Sequence, residues 1–175
     1  MSRLPSTTSF PPTSFTLDNN WLLIHHCVSP SKIANLLVVI GILIPGFDYR
    51  YHLSIVPVWL VIFSNLIVLL GYALIFWVFK VNRYASATIR TEAEQTVILS
   101  GPYAVVRHPM YTGGLLILLF TPMALGSYWA LIPFAASIPV IVLRALNEED
   151  VLLRELPGYR EYCSKTRYRL LPMVW

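Results

Sequence analysis

Uncharged runs alternate with short charged segments along the chain, and the lengths of these runs predict helices that cross a membrane. Residues 53–79 hold 27 consecutive uncharged positions, which at about 1.5 Å per residue exceed a hydrocarbon core of roughly 30 Å. Residues 33–47 hold 15, enough to cross if a flanking side chain such as Lys32 snorkels to the surface. We therefore predict spans over residues 33–47 and 53–79.

The longest uncharged run, residues 113–143, predicts a membrane hairpin. Its 31 residues are too many for one comfortable crossing, and the turn-forming pair Gly126-Ser127 lies near its middle. A turn at residues 126–128 divides the run into spans over about 113–126 and 128–145. Four spans make an all-α integral membrane protein with both chain ends on the same side.

The basic residues give an independent test of this topology. Ten of the 13 fall into a group just before the hairpin and a group after it: Lys80, Arg83, Arg90 and Arg107, then Arg144, Arg154, Arg160, Lys165, Arg167 and Arg169. The positive-inside rule places both groups in the cytosol only if residues 113–143 cross twice. The same clustering accounts for the net charge of +4 without nucleic acid as a partner. A bacterial inner membrane and an endoplasmic reticulum membrane would impose the same pattern.

Composition indicates one membrane domain behind a polar tail. With 56% apolar and 13% charged residues among 175, the chain has too little sequence for a separate soluble catalytic domain. The first 20 residues are rich in Ser, Thr and Pro, so we expect residues 1–30 to be a disordered tail rather than a signal peptide. Residues 31–175 are then the domain. Cys27 and Cys163 lack the spacing of a disulfide framework or a zinc site, and we expect no bound metal.

Candidate chemistry lies first in the polar segment 81–112, which we expect to form an ordered cap on the membrane surface. It ends in Arg107-His108-Pro109-Met110-Tyr111. Proline suits the first turn of a helix, so His108 would cap the helix and Tyr111 would lie in its first turn, beside free backbone amides that suit a carboxylate. The alternative is that Arg107 snorkels to lipid phosphate and Tyr111 belongs to the interfacial aromatic belt.

A second candidate cluster, Glu148-Glu149-Asp150, follows the last predicted span. Carboxylates so close to the acyl boundary are costly unless they are hydrogen-bonded or paired, which makes them functional candidates. Arg144 stands four residues before Glu148 and would pair with it on one helix face. That pair leaves Glu149 without a local partner.

Together these segments resemble the isoprenylcysteine carboxyl methyltransferase family and the related phospholipid N-methyltransferases. The resemblance runs from about residue 70 to the C-terminus, with its elements in the family's order. They are Gly101-Pro102-Tyr103, Arg107-His108-Pro109-Met110-Tyr111-Thr112-Gly113, the hairpin, Arg144, Glu148-Glu149, Gly158-Tyr159-Arg160-Glu161-Tyr162 and Thr166-Arg167-Tyr168-Arg169-Leu170-Leu171-Pro172.

The resemblance implies S-adenosyl-L-methionine as cofactor, held in a cytosolic pocket formed by the surface loop, the start of the third span and the C-terminal helix. The implied cofactor-binding residues are Leu99, Gly101, Tyr103, His108, Tyr111, Glu148 and Leu152, and the residues nearest the methyl acceptor are Arg144 and Glu149. Methyl transfer from a sulfonium requires chiefly proximity, alignment and a dry pocket. A carboxylate acceptor needs no general base, whereas an amine acceptor must lose a proton, for which Glu149 is a candidate.

The expected reaction is carboxyl O-methylation of a lipophilic substrate, isoprenylcysteine-like or a prenylated cysteine, drawn from among the membrane lipids. The alternative acceptor is the amine of a phospholipid such as phosphatidylethanolamine.

Two departures from the family pattern bear on the identity of the acceptor and on the length of the chain. Leu156-Pro157 replaces the more usual Phe-Gly turn and suggests a subgroup whose acceptor differs. A polar tail also stands where family members carry further hydrophobic sequence, as expected of a short or truncated form.

Two other interpretations compete with a methyltransferase. A sterol-reductase-like enzyme would share the Arg-His motif. It would also need a nicotinamide pocket and more spans, and a chain of 175 residues argues against both. A non-catalytic scaffold or lipid-binding protein would be expected to lose the Arg, His, Tyr and paired acids, and all of them are present.

Overall fold

A computed structural model describes residues 30–82 and 97–174 of the chain. These residues form five α-helices and one short 3₁₀ helix: α1 (Pro30–Tyr51), α2 (Val58–Val81), the 3₁₀ helix (Gly101–Ala104), α3 (Pro109–Ala124), α4 (Leu131–Glu155) and α5 (Tyr159–Lys165). No strand occurs in the described ranges, so the predicted all-α class is confirmed. Residues 1–29 of the expected N-terminal tail and residues 83–96 of the polar segment lie outside them.

Three of these helices are long and apolar enough to cross a membrane: Ser31–Tyr51, Val58–Val81 and Leu131–Glu155. Helix α3 is also apolar but has only 16 residues, about 24 Å at 1.5 Å per residue. Large apolar side chains such as Leu36, Leu69 and Ile132 are exposed on the outer faces, as expected for surfaces in contact with lipid. The protein is an all-α membrane protein.

The hairpin predicted near residues 126–128 is present. Helix α3 ends at Ala124. Gly126 then adopts a left-handed conformation with φ +76°, which glycine adopts readily because glycine lacks a Cβ. Several helix ends differ from the predicted span bounds: α1 covers residues 30–51 against 33–47, α3 begins at Pro109 against 113, and α4 begins at Leu131 against 128. Helix α4 continues ten residues beyond 145, so all three acids lie on an unbroken helix. Helix α2 begins at Val58 rather than at residue 53, because Pro57 precedes it.

The α2–α3 contact is unusually close. A Cβ added at Gly71 would lie 2.9 Å from the carbonyl oxygen of Gly113, and a Cβ added at Gly113 would lie 2.9 Å from that of Gly71. Small residues at such crossings let the backbones of two membrane helices approach. Helix α3 also packs on α4, and α1 packs on α4, with Gly41 against the ring of Phe134.

Two ends of the bundle are distinguished by their polar contacts. The turn end holds the α1–α2 and α3–α4 connections, where the Asp48 carboxylate accepts hydrogen bonds from Ser127 and, at 2.6 Å, from Ser54. The site end holds the end of α2, the start of α3 and the last turns of α4. There Arg144 Nη1 lies 3.5 Å from Ser31 Oγ near the start of α1. Helices α1 and α4 therefore run antiparallel along their shared length.

The site end carries a cap formed by the 3₁₀ helix, α5 and the C-terminal tail, residues 166–174. Leu156, Tyr159 and Tyr162 form its buried apolar cluster. The Tyr162 hydroxyl donates to the Tyr103 carbonyl at 2.8 Å, which ties α5 to the 3₁₀ helix. The cap was expected to consist of the surface loop and the C-terminal helix. It also contains the tail, which crosses the start of α3.

Candidate active site

His108 caps α3 and Pro109 begins it, as the sequence predicts. The imidazole is 4% exposed, and its Nε2 atom has no hydrogen-bond partner among the residues that the structure describes. Its ring makes an edge-to-face contact with Tyr111, the centroids 5.8 Å apart. The backbone amides of Arg107 and His108, expected to be free, donate at 2.9 Å to the carbonyls of Tyr168 and Arg169 in the tail.

Glu149 lies at the centre of an ion-pair cluster and is only 3% exposed. Its Oε1 atom accepts from Arg107 Nη1 at 2.5 Å, and its Oε2 atom accepts from Arg169 Nε at 2.7 Å. The sequence offers Glu149 no local partner, and both of these partners lie far from it along the chain. Its partners come from the segment before α3 and from the tail, which helix spacing cannot indicate.

Arg107 does not snorkel to lipid phosphate. Its side chain is 13% exposed, and besides Glu149 it donates to the backbone carbonyls of Thr166 at 2.7 Å and Cys163 at 2.8 Å. These contacts satisfy the planar, forked guanidinium on several sides. Arg107 thus joins α4, the end of α5 and the tail at one point beside His108.

Glu148 faces a different neighbour from Glu149. Its Oε2 atom accepts a 2.6 Å hydrogen bond from the Tyr111 hydroxyl, and the Arg144 side chain lies within hydrogen-bonding reach of that hydroxyl. The structure therefore brings together Tyr111 from α3 with Arg144 and Glu148 from α4. A tyrosine hydroxyl, a carboxylate and a guanidinium form one half-buried polar group at the site end.

Tyr103 closes the site from the 3₁₀ helix. Its hydroxyl accepts from Asn82 Nδ2 at 2.7 Å at the end of α2. Burial raises the pKa of Tyr103 and that of Tyr162, so both phenols remain neutral hydrogen-bonding groups. Gly101 has φ +62°, and a Cβ there would lie 3.1 Å from the Val81 side chain, so it sets the approach of the 3₁₀ helix to α2.

The remaining predicted residues lie at the periphery of this arrangement. Leu99 is 54% exposed on the cap. Leu152 packs against the cluster of Leu156, Tyr159 and Tyr162. Neither residue makes a polar contact through its side chain, and any role in binding would be apolar.

Sequence reasoning missed Arg169 and misjudged Arg107. A signal was available, because a carboxylate held near the acyl boundary requires a cation, and the tail contains Arg167 and Arg169. The pattern alone does not say which of these points inward. Among the described residues, no group of three or more His, Cys, Asp or Glu could hold a metal ion.

Comparison with known proteins shows the family to which the chain belongs. A family model described as phospholipid methyltransferase matches residues 59–157, from α2 to the end of α4. The Delta(14)-sterol reductase of Mus musculus is 29% identical over 93 residues, which are 50% of this chain and 22% of that protein. The chain thus matches about a fifth of that relative's length. Because the family model covers more than half of the sequence, the chain belongs to the phospholipid methyltransferase family, within the isoprenylcysteine/phospholipid methyltransferase class of membrane methyltransferases.

Proposed function

We propose that the protein transfers a methyl group from S-adenosylmethionine to a lipophilic acceptor at the membrane. The observation that carries this proposal is the unpartnered Nε2 atom of His108. A buried polar atom without a hydrogen bond costs about 1–3 kcal/mol, and such atoms in native proteins call for an explanation such as a ligand. His108 lies beside the Tyr111–Glu148 pair, in the part of the chain that the family model matches.

The residues present fit the cofactor. Glu148 is a carboxylate suited to ribose hydroxyls, while His108 and Tyr111 offer polar groups to the methionyl end. Tyr103 encloses the site, and Leu99, Gly101 and Leu152 supply apolar surface and backbone. When bound, S-adenosylmethionine supplies a methyl group activated by its sulfonium. The protein's part is to hold the acceptor in line and to exclude water.

The surroundings of Glu149 favour a carboxylate acceptor. Both of its oxygens already accept hydrogen bonds from guanidiniums, so we assign it to holding the cluster together rather than to taking a proton from the acceptor. A carboxylate needs no such base, and Arg144 would orient and neutralise it by charge-assisted hydrogen bonds. We therefore favour O-methylation of an isoprenylcysteine-like carboxylate.

The second candidate acceptor is the amine of a phospholipid such as phosphatidylethanolamine. The description of the matching family favours it. An amine must lose a proton, so this reaction would need a proton acceptor other than Glu149. The partial similarity to a sterol reductase covers only 22% of that protein, and we propose no reductase activity for this chain.

The test of cofactor binding is calorimetric titration of S-adenosylhomocysteine into the detergent-purified protein. We expect saturable binding by the wild type and its loss in His108→Ala and in Glu148→Ala. Asp150→Asn is the matched control, because Asp150 belongs to the same run of acids but is exposed. Absence of binding by folded wild type would refute the methyltransferase proposal and favour the scaffold.

Acceptor identity is tested by incubating the protein with S-adenosylmethionine and each candidate in detergent. A farnesylated cysteine derivative with a free carboxylate should gain a methyl ester, detected by mass spectrometry and removed by mild base. Methylation of the phosphatidylethanolamine amine instead, with the methyl group retained on the headgroup nitrogen after mild base, would contradict the carboxylate acceptor while preserving the cofactor proposal.

A further inference from the structure

Arg169 contacts both the backbone of His108 and the carboxylate of Glu149. Its carbonyl oxygen accepts the backbone amide of His108 at 2.9 Å. Its Nε atom donates to Glu149 Oε2 at 2.7 Å. Arg169 lies in the C-terminal tail, outside the range 59–157 that the family model matches.

One carboxylate oxygen faces both Arg169 and His108. Glu149 Oε2, bound by Arg169, lies 3.8 Å from His108 Nε2, which is beyond hydrogen-bonding range. Glu149 Oε1 is occupied separately by Arg107. The two arginines therefore occupy both oxygens of a carboxylate that lies 3.8 Å from the imidazole nitrogen, within ion-pair range but beyond hydrogen-bonding range.

Loss of the Arg169 cation would change the partner of that oxygen. A buried carboxylate that loses a charged partner is strongly destabilised and takes the nearest available donor. His108 Nε2 lies 3.8 Å from that oxygen and has no hydrogen-bond partner among the described residues, so it is a candidate to become the new partner. Glu149 would then compete with a ligand for the imidazole.

We propose that Arg169 is a positioning residue that keeps His108 Nε2 available to the cofactor by occupying the facing oxygen of Glu149. This inference rests on the proposed function, because it assumes that His108 contacts the cofactor. It adds to that proposal a residue of the tail that acts through its charge.

The variants Arg169→Gln and Arg169→Lys separate this role from packing. The Arg169 side chain is 37% exposed, so neither substitution leaves a buried cavity. We expect Arg169→Gln to weaken S-adenosylhomocysteine binding at least tenfold in calorimetry. Arg169→Lys keeps a cation beside Glu149 and should bind within about threefold of wild type. Arg167→Gln, a substitution of an exposed arginine in the same tail, should have no effect.

Hydrogen exchange at the His108 amide distinguishes positioning from detachment of the tail. That amide is protected by the Arg169 carbonyl, so in Arg169→Gln its exchange should match wild type while binding is lost. Two results would overturn the inference: binding by Arg169→Gln at wild-type affinity, or loss of binding together with faster exchange of the His108 amide. In either case, binding by the wild type would still support the cofactor proposal. If Arg169→Gln does not fold, loss of binding by folded Arg169→Lys overturns it.

Discussion

At the scale of single residues, Thr112 secures the tail to the start of α3. Its hydroxyl donates to the Leu170 carbonyl at 2.6 Å, and Leu170 is 2% exposed. Thr112→Val removes the donor at nearly constant volume and leaves a buried carbonyl unsatisfied, at a cost of about 1–3 kcal/mol in the free energy of unfolding. We expect a lower thermal midpoint in detergent and faster hydrogen exchange of the Arg107 and His108 amides.

A second threonine on α3 provides the control for this prediction. Thr121 donates to the Ile117 carbonyl at 2.6 Å within its own helix, a contact that contributes little to stability. Thr121→Val should therefore shift stability by less than about 0.5 kcal/mol. Equal effects of the two substitutions would show that the tail contact contributes nothing specific.

The residues of the candidate site divide by how far their partners lie along the chain. The capping role of His108 followed from Pro109 and from local helix rules. The ion pair of Glu149 with Arg107 joins residues 42 positions apart, and its pair with Arg169 joins residues 20 apart. The position of the acids beside the acyl boundary marked them as costly. Helical periodicity reports neighbours three or four residues apart, so it could not supply the partners of Glu149.

At the scale of helices, the α2–α3 crossing depends on two glycines facing each other. A Cβ at Gly113 would lie 2.9 Å from the Gly71 carbonyl oxygen, and a backbone atom cannot turn away as a side chain can. Gly113→Ala should force the helices apart and cost about 1–3 kcal/mol. That exceeds the gain of up to about 1 kcal/mol in helix propensity. Thermal unfolding in detergent, followed by circular dichroism, measures the difference.

The adjacent glycine is a matched control on the same helix. A Cβ at Gly114 would meet nothing within 4 Å, so Gly114→Ala should leave stability unchanged or raise it. A destabilised Gly114→Ala, or a Gly113→Ala as stable as wild type, would contradict the close crossing. The sequence marked Gly113 only as part of a motif, because a helical pattern does not tell which face meets another backbone.

Helix boundaries were predictable where a residue with a special backbone conformation marks them. Gly126 has positive φ and lies in the hairpin turn predicted there. The end of α4 was not predictable from the end of the uncharged run, because Arg144 and the acids continue the helix into the site. Charged residues end a lipid-exposed surface, but they do not end a helix whose polar groups find partners in a cap.

At the scale of the whole molecule, the two ends of the bundle have different chemistry. The turn end holds Asp48, whose hydrogen bonds with Ser54 and Ser127 join the two helix connections. The site end holds the ion-pair cluster around Glu149 and the basic residues of the cap. We infer from the positive-inside rule that the site end lies in the cytosol, where S-adenosylmethionine would reach it without crossing the membrane.

Cysteine labelling tests this orientation. Ile55, between α1 and α2, is 90% exposed at the turn end, and Ser164 is exposed on α5 at the site end. With Cys27 and Cys163 replaced by serine, Ser164→Cys should react with an impermeant maleimide in sealed vesicles whose cytosolic face points outward. Ile55→Cys should react only after detergent is added. The reverse pattern would invert the topology, and reaction of both before detergent would mean that α1 and α2 do not separate two compartments.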